Sequence, residues 1–76
     1  MIKELDTIVL AKDLRDYHLR RGDVGAVVHV YEDGRAYEVE FVTGEGETVA
    51  VVTLSASDVR PMRRADILHV RSYATA

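Results

Sequence analysis

The sequence predicts a small all-β protein, and three observations carry this prediction. A run of alternating residues starts at two glycines, Gly22 and Gly25. An Asp33-Gly34 dipeptide follows that run, and Asp-Gly supplies the positive φ angles that short hairpin turns need. A second run of alternating aromatic, acidic and apolar residues comes soon after this dipeptide. Together these features predict a β-hairpin in a small barrel.

The chain before the hairpin predicts one strand and one long loop. Residues 7–10 form a short run rich in β-branched residues, which favours a strand. Residues 11–21 show little periodicity, so we expect a loop with one helical turn at 12–16. Its apolar anchors are Leu14, Tyr17 and Leu19.

The hairpin strands, residues 24–32 and 36–43, place successive side chains on opposite faces. In the first strand we expect an inward-facing set, Val24, Ala26, Val28 and Val30. The outward-facing set is then Val27, His29 and Tyr31. In the second strand the inward-facing residues are Tyr37, Val39 and Phe41. Glu38 and Glu40 alternate with them and are expected to face solvent.

A turn at residues 44–47 leads to a fourth strand at 48–54. The inward-facing residues there are Ala50, Val52 and Leu54, which leaves Val49 and Val51 outside. Residues 55–58 predict a 3₁₀ turn, because short hydroxyl and carboxylate side chains bond to nearby backbone amides. Residues 59–62 predict a last edge strand, where the missing donor of Pro61 is tolerated.

This order of elements predicts a five-stranded SH3-like barrel over residues 1–62, with a 3₁₀ turn before the last strand. A β-sandwich fragment is the competing architecture. Residues 63–76 form a C-terminal extension, for which an extra strand, a short helix and disorder all stay open.

Composition places the chain among small globular proteins. It has 76 residues, 47% of them hydrophobic, and no cysteine, so neither a disulfide nor a thiolate metal site supports the core. No apolar run approaches the roughly 18 residues of a membrane span, and the first residues do not resemble a secretory signal. We therefore expect a cytoplasmic protein without a membrane segment.

Charge is distributed unevenly around a net value of −3. Residues 32–58 carry seven acidic side chains and one arginine, whereas residues 59–76 carry four arginines and one aspartate. An acidic centre disfavours a polyanion lying across the central strands, because phosphate contacts need clustered cations. The pattern suits a protein partner of mixed charge.

Four segments resemble a family of short bacterial proteins of unknown function: LDTIVL at 5–10, GDVGAVV at 22–28, YEVEF at 37–41 and DVRP at 58–61. That family is marked by Gly-Asp-x-Gly-x-Val and Glu-Val-Glu-Phe segments, and the resemblance covers about residues 2–62. More distantly, the stretch is similar to the nitrile hydratase β-subunit barrel and to KOW-type barrels. The resemblance implies the SH3-like fold. It also implies a paired module of the toxin–antitoxin or immunity kind, since some members are encoded beside a second small protein.

The residues give little support for catalysis. The three histidines lack metal-ligand spacing, no serine lies in a nucleophile elbow, and the glycine motifs do not precede a helix. Glu38 and Glu40 could form an acid/base pair, but such a pair needs a concave, partly dry pocket. We expect solvated glutamates or an acidic rim for a basic partner. The sequence thus predicts no enzyme activity, no cofactor and no metal.

The outward-facing residues predict a surface for another protein. Val27, His29, Tyr31, Val49 and Val51 form an apolar strip with Glu38 and Glu40 beside it. Monomers rarely leave such a strip bare, although the C-terminal extension could cover it. A partner encoded by a neighbouring gene is one expectation. A homodimer through an open strand edge or through the C-terminal extension is another.

Two other functions stay open at this point. Nucleic-acid binding in the KOW or Tudor manner would use Lys12, Arg15, Arg20, Arg21 and the terminal arginines. It is disfavoured because only Tyr17 supplies an aromatic ring to that basic loop. An accessory subunit of a larger enzyme is the third candidate, and it would purify together with a catalytic chain.

Overall fold

A computed structural model describes residues 1–73 and confirms an all-β fold. The five strands are β1 (Thr7–Leu10), β2 (Val24–Tyr31), β3 (Ala36–Val42), β4 (Thr48–Ser55) and β5 (Val59–Pro61). They form one antiparallel sheet in the order β4-β3-β2-β1-β5. A 3₁₀ turn, Ala56–Asp58, precedes the last strand as expected. This is the strand order of an SH3-like barrel, left open between β4 and β5.

The long loop between β1 and β2 is held by two of its three predicted apolar anchors, Leu14 and Leu19. Leu14 and Leu19 exchange two backbone hydrogen bonds of 2.9 and 3.1 Å, and the Leu19 side chain is buried in the core. The helical turn lies slightly later than expected, at Arg15–Tyr17, and Tyr17 is exposed. Gly22 takes a positive φ of 94°, which explains the glycine at the return into the sheet.

The first half of β2 faces the opposite way from the prediction. Val27 is 0% exposed and lies in the core, whereas Val24 and Val28 are 40% and 43% exposed. The cause is a register shift between Val27 and His29, which inserts one extra residue opposite β3. After this bulge the predicted phase is correct, because Val30 packs inward while His29 and Tyr31 face outward.

The strands β3 and β4 carry the rest of the core as predicted. Their inward-facing residues are Tyr37, Val39, Phe41, Ala50, Val52 and Leu54. The prediction for Val49 was wrong, because it is partly buried and packs against the core. In a second register shift, Phe41 pairs with Ala50 and Val42 pairs with Thr48, so Val49 is the extra residue of β4. This bulge turns the Val49 side chain inward.

The C-terminal segment, defined here as residues 62–73, forms neither a helix nor a strand and contacts the barrel through a few residues. Arg60 donates two hydrogen bonds to Asp66, of 2.9 and 3.2 Å. Arg71 binds the Asp23 carboxylate through its Nε, at 2.9 Å, and also through its Nη2. Tyr73 donates to the Tyr17 carbonyl at 2.8 Å and packs against the core. The extra strand and the short helix left open by the sequence are thus absent from 63–73, while residues 74–76 lie outside the described residues.

Candidate interaction surface

The side of the sheet that faces away from the core carries most of the residues of interest. We call this surface the outer face, and it consists of Val24, Ala26, Val28, His29, Tyr31, Glu38, Glu40, Val42, Val51 and Thr53. The sheet register places Glu40 between Ala26 on β2 and Val51 on β4. Apolar side chains therefore lie on both sides of a carboxylate.

Hydrogen bonds from β4 hold the two glutamates in place. Thr48 donates through its Oγ1 to Glu40 at 2.6 Å, and Thr53 donates through its Oγ1 to Glu38. Both glutamates remain half-buried at the surface. Their charges are consequently held in position on the outer face, which lowers the side-chain entropy lost when they bind a cationic group.

Tyr31 and His29 form an aromatic pair at one end of the outer face. Their rings meet edge to face, with centroids 4.5 Å apart. The Tyr31 hydroxyl lies 3.4 Å from Oε1 of Glu38. Desolvation and the Glu38 carboxylate raise the pKa of Tyr31, so it stays a neutral donor. Glu4, which the sequence did not single out, places its Oε2 3.5 Å from Nδ1 of His29.

The structure brings together five of the seven predicted site residues. His29, Tyr31, Glu38, Glu40 and Val51 all belong to the outer face. Val27 is in the core and Val49 is partly buried against it, so these two do not form a surface. The sequence reasoning missed Val24, Val28 and Val42, which are 40%, 43% and 53% exposed.

A signal for the missed residues was present at Gly25. A Cβ atom there would lie 2.7 Å from Cγ1 of Val39 and 2.8 Å from Cε1 of Phe41, so only glycine fits against the core. A glycine at the start of a strand indicates either a positive φ or a close approach of neighbouring atoms. The close approach means that Gly25 faces inward, which by alternation turns Val24 and Ala26 outward.

Within residues 1–73, no group of three or more His, Asp or Glu side chains is placed to hold a metal ion. The same part of the chain has no helix of sufficient length and apolarity to cross a membrane.

In a comparison with protein families, residues 4–61 match the family described as "Domain of unknown function (DUF4926)". That segment contains all five strands. The chain belongs to this family. No curated protein and no solved structure matches the chain. The C-terminal segment, residues 62–73, lies beyond the matched part of the DUF4926 domain.

Several cations of the chain form ion pairs with carboxylates. Nζ of Lys12 lies 3.0 Å from Oδ1 of Asp58, and Arg60 and Arg71 bind Asp66 and Asp23. Partial burial alone would raise the pKa of Asp58, but hydrogen bonds from Lys12 and the Ser55 amide hold it below its usual value. These pairs leave fewer cations in the basic loop and the terminal region for a phosphate backbone.

Proposed function

We propose that this DUF4926 domain is a non-catalytic protein-binding module whose outer face contacts a partner with basic and apolar groups. The observation that carries the proposal is the arrangement around Glu40, which has apolar neighbours on both adjacent strands. Val24, Val28, Val42 and Val51 are each 40% exposed or more on the same side of the sheet. A contiguous apolar patch with charged groups inside it is typical of an interaction site.

The fixed carboxylates support a basic partner. Glu38 and Glu40 each accept a hydrogen bond from a threonine, so their geometry is set before binding. A lysine or arginine of the partner would gain an ion pair while its aliphatic stem covers the neighbouring valines. We therefore expect the affinity to fall as ionic strength rises, with an apolar component that salt does not remove.

One indication of the partner comes from the resemblance of this sequence to short bacterial proteins with Gly-Asp-x-Gly-x-Val and Glu-Val-Glu-Phe segments. Some of these are encoded beside a second small protein, which supports a companion of the toxin–antitoxin or immunity kind. An accessory role beside a catalytic chain, as suggested by the similarity to the nitrile hydratase β-subunit barrel, is a variant of the same proposal. Nucleic-acid binding is less well supported, because Lys12, Arg60 and Arg71 are bound to carboxylates.

Affinity isolation of the intact 76-residue chain from its native host tests the proposal. We expect a stoichiometric protein companion, identified by mass spectrometry and then titrated against purified variants. Glu38→Lys and Glu40→Lys should each weaken its binding at least about tenfold, because a cation repels the basic partner. Glu45→Lys makes the same charge change in the exposed turn after β3 and should leave the affinity within about twofold.

Equal effects of the three substitutions would contradict a site on the outer face. An oligonucleotide in place of a protein companion, with an affinity that falls steeply with salt, would contradict the proposed class of partner.

A further inference from the structure

The strand β4 is an unprotected sheet edge. It has eight residues, Thr48–Ser55, with the sequence TVAVVTLS, which contains no charge and no proline. Over residues 1–73, no backbone hydrogen bond joins β4 to another segment on the side away from β3. The other edge differs, since β5 has three residues and includes Arg60 and Pro61. Proteins commonly blunt an edge with charges, proline or short length, as β5 does and β4 does not.

We propose that β4 pairs with β4 of a second copy of this chain, so that two sheets join into one continuous antiparallel sheet. This inference names a partner at the edge of the proposed protein-binding surface, and it rests on that proposed function. A strand that pairs antiparallel with its own copy obeys two-fold symmetry, so both copies use the same residues and the assembly closes at two.

The lack of charged side chains on β4 favours its pairing with a second copy of the chain. Pairing β4 with itself brings no charged side chain against another, because the strand has none. Of the surrounding carboxylates, Glu47 lies in the turn before the strand, whereas Glu38 and Glu40 lie one strand further in on β3. Across the joined sheet they are separated from their equivalents by three strand spacings, about 14 Å. That exceeds the Debye length of about 10 Å at 0.1 M salt, so the repulsion between copies is largely screened.

The register follows from the bulge at Val49 and from the two faces of the sheet. The regular part of β4 starts at Ala50, where pairing with β3 becomes continuous. In an antiparallel pair, residues directly opposite each other lie on the same face of the sheet. The core residues of both copies therefore share one face only if the two-fold axis passes through a residue of β4, and not between two residues. Centring on Val52 uses the five residues 50–54, places Val51 against Thr53 of the second copy and extends both outer faces side by side. Val51 is 48% exposed in the single chain and becomes covered in this pairing.

Sedimentation equilibrium of the intact chain tests this inference. We expect a monomer–dimer equilibrium that is visible below about 1 mM protein and is little affected by salt, because the pairing is uncharged. Val51→Lys should raise the dimer dissociation constant at least about tenfold, since two lysines enter the pairing for each dimer. Val28→Lys places the same charge on the same face but on the central strand β2, and should change the constant by less than about twofold.

Hydrogen exchange supplies a second measurement that needs no variant. Amides of residues 50–54 should become better protected as the protein concentration rises, whereas amides of β5 should not change. A chain that stays monomeric at 1 mM, or a dimer that Val51→Lys and Val28→Lys weaken equally, would overturn the inference. Val28 lies on the outer face but on the central strand β2, so companion binding and dimerisation of Val28→Lys, measured separately, distinguish failure of one proposal from failure of the other.

Discussion

At the scale of the residue, Gly25 determines which side of β2 faces the core. Its hydrogen atoms lie where a Cβ would overlap Val39 and Phe41, so the side chains of these two residues pack closer to this position than any other residue would allow. The side chains of Val39 and Phe41 fill the space that Gly25 leaves, and Val27 continues the inward-facing set. One missing side chain thereby turns Val24 and Ala26 outward, onto the proposed protein-binding surface.

Gly25→Ala should therefore destabilise the fold. The added methyl group would lie 2.7 Å from Cγ1 of Val39, and overpacking of this kind costs about 1–3 kcal/mol. Urea unfolding followed by circular dichroism measures the change. Gly44→Ala is the matched control, since a Cβ at Gly44 meets no atom within 4 Å, and it should change the free energy of unfolding by less than about 0.5 kcal/mol. Similar losses in both variants would contradict the close approach at Gly25.

At the scale of the element, β2 and β3 show how far the sequence predicts this fold. The sequence predicts which side of β3 faces the core, because Glu38 and Glu40 alternate with large apolar residues and the strand has one apolar face. The residues of β2 are apolar in both phases, so alternation alone could not decide between them. The bulge after Val27 then changes the phase within the strand, and a bulge depends on packing that is not local in sequence.

The C-terminal segment illustrates a different limit of sequence reasoning. It is held by pairs between residues far apart in the chain, such as Arg71 with Asp23 and Tyr73 with Tyr17. No periodic pattern in the sequence indicates such contacts, so the sequence could not distinguish an extra strand, a short helix and disorder for this segment. Partial burial on its own would raise the pKa of Asp23, but hydrogen bonds from Arg71 and the Arg20 amide hold that pKa below its usual value.

The Asp23–Arg71 pair predicts a pH dependence of stability. A carboxyl group with a lowered pKa in the folded state stabilises the fold above its unfolded pKa, and this contribution is lost as the pH falls through the folded pKa. The wild type should therefore lose stability below about pH 4, and Asp23→Asn should lose less over the same range. At pH 7 Asp23→Asn should lower the free energy of unfolding by about 1 kcal/mol.

Urea unfolding at several pH values between about 7 and 3 measures this difference. Asp16→Asn removes an exposed carboxyl group from the same loop and should leave the pH profile close to that of the wild type. If the profiles of Asp23→Asn and Asp16→Asn coincide, the pair with Arg71 does not contribute to stability.

At the scale of the whole molecule, the five strands of this DUF4926 domain produce one covered face and one face in contact with solvent. The core residues of β1, β2, β3 and β4 fill the concave side, and the C-terminal segment adds Tyr73 to it. The outer face keeps its valines, its aromatic pair and its two oriented carboxylates at the surface. The sheet therefore offers a partner both a side-chain surface and, at β4, an open backbone edge.

Carboxyl labelling tests the central claim, that the outer face binds a protein, most directly. The intact chain, alone and with its isolated companion, is treated with a carbodiimide and an amine, and the modification of each glutamate is measured by mass spectrometry. We expect the companion to protect Glu38 and Glu40 and to leave Glu45 and Glu47 in the exposed turn as reactive as in the chain alone. Unchanged labelling of Glu38 and Glu40 in a saturated complex would contradict the claim.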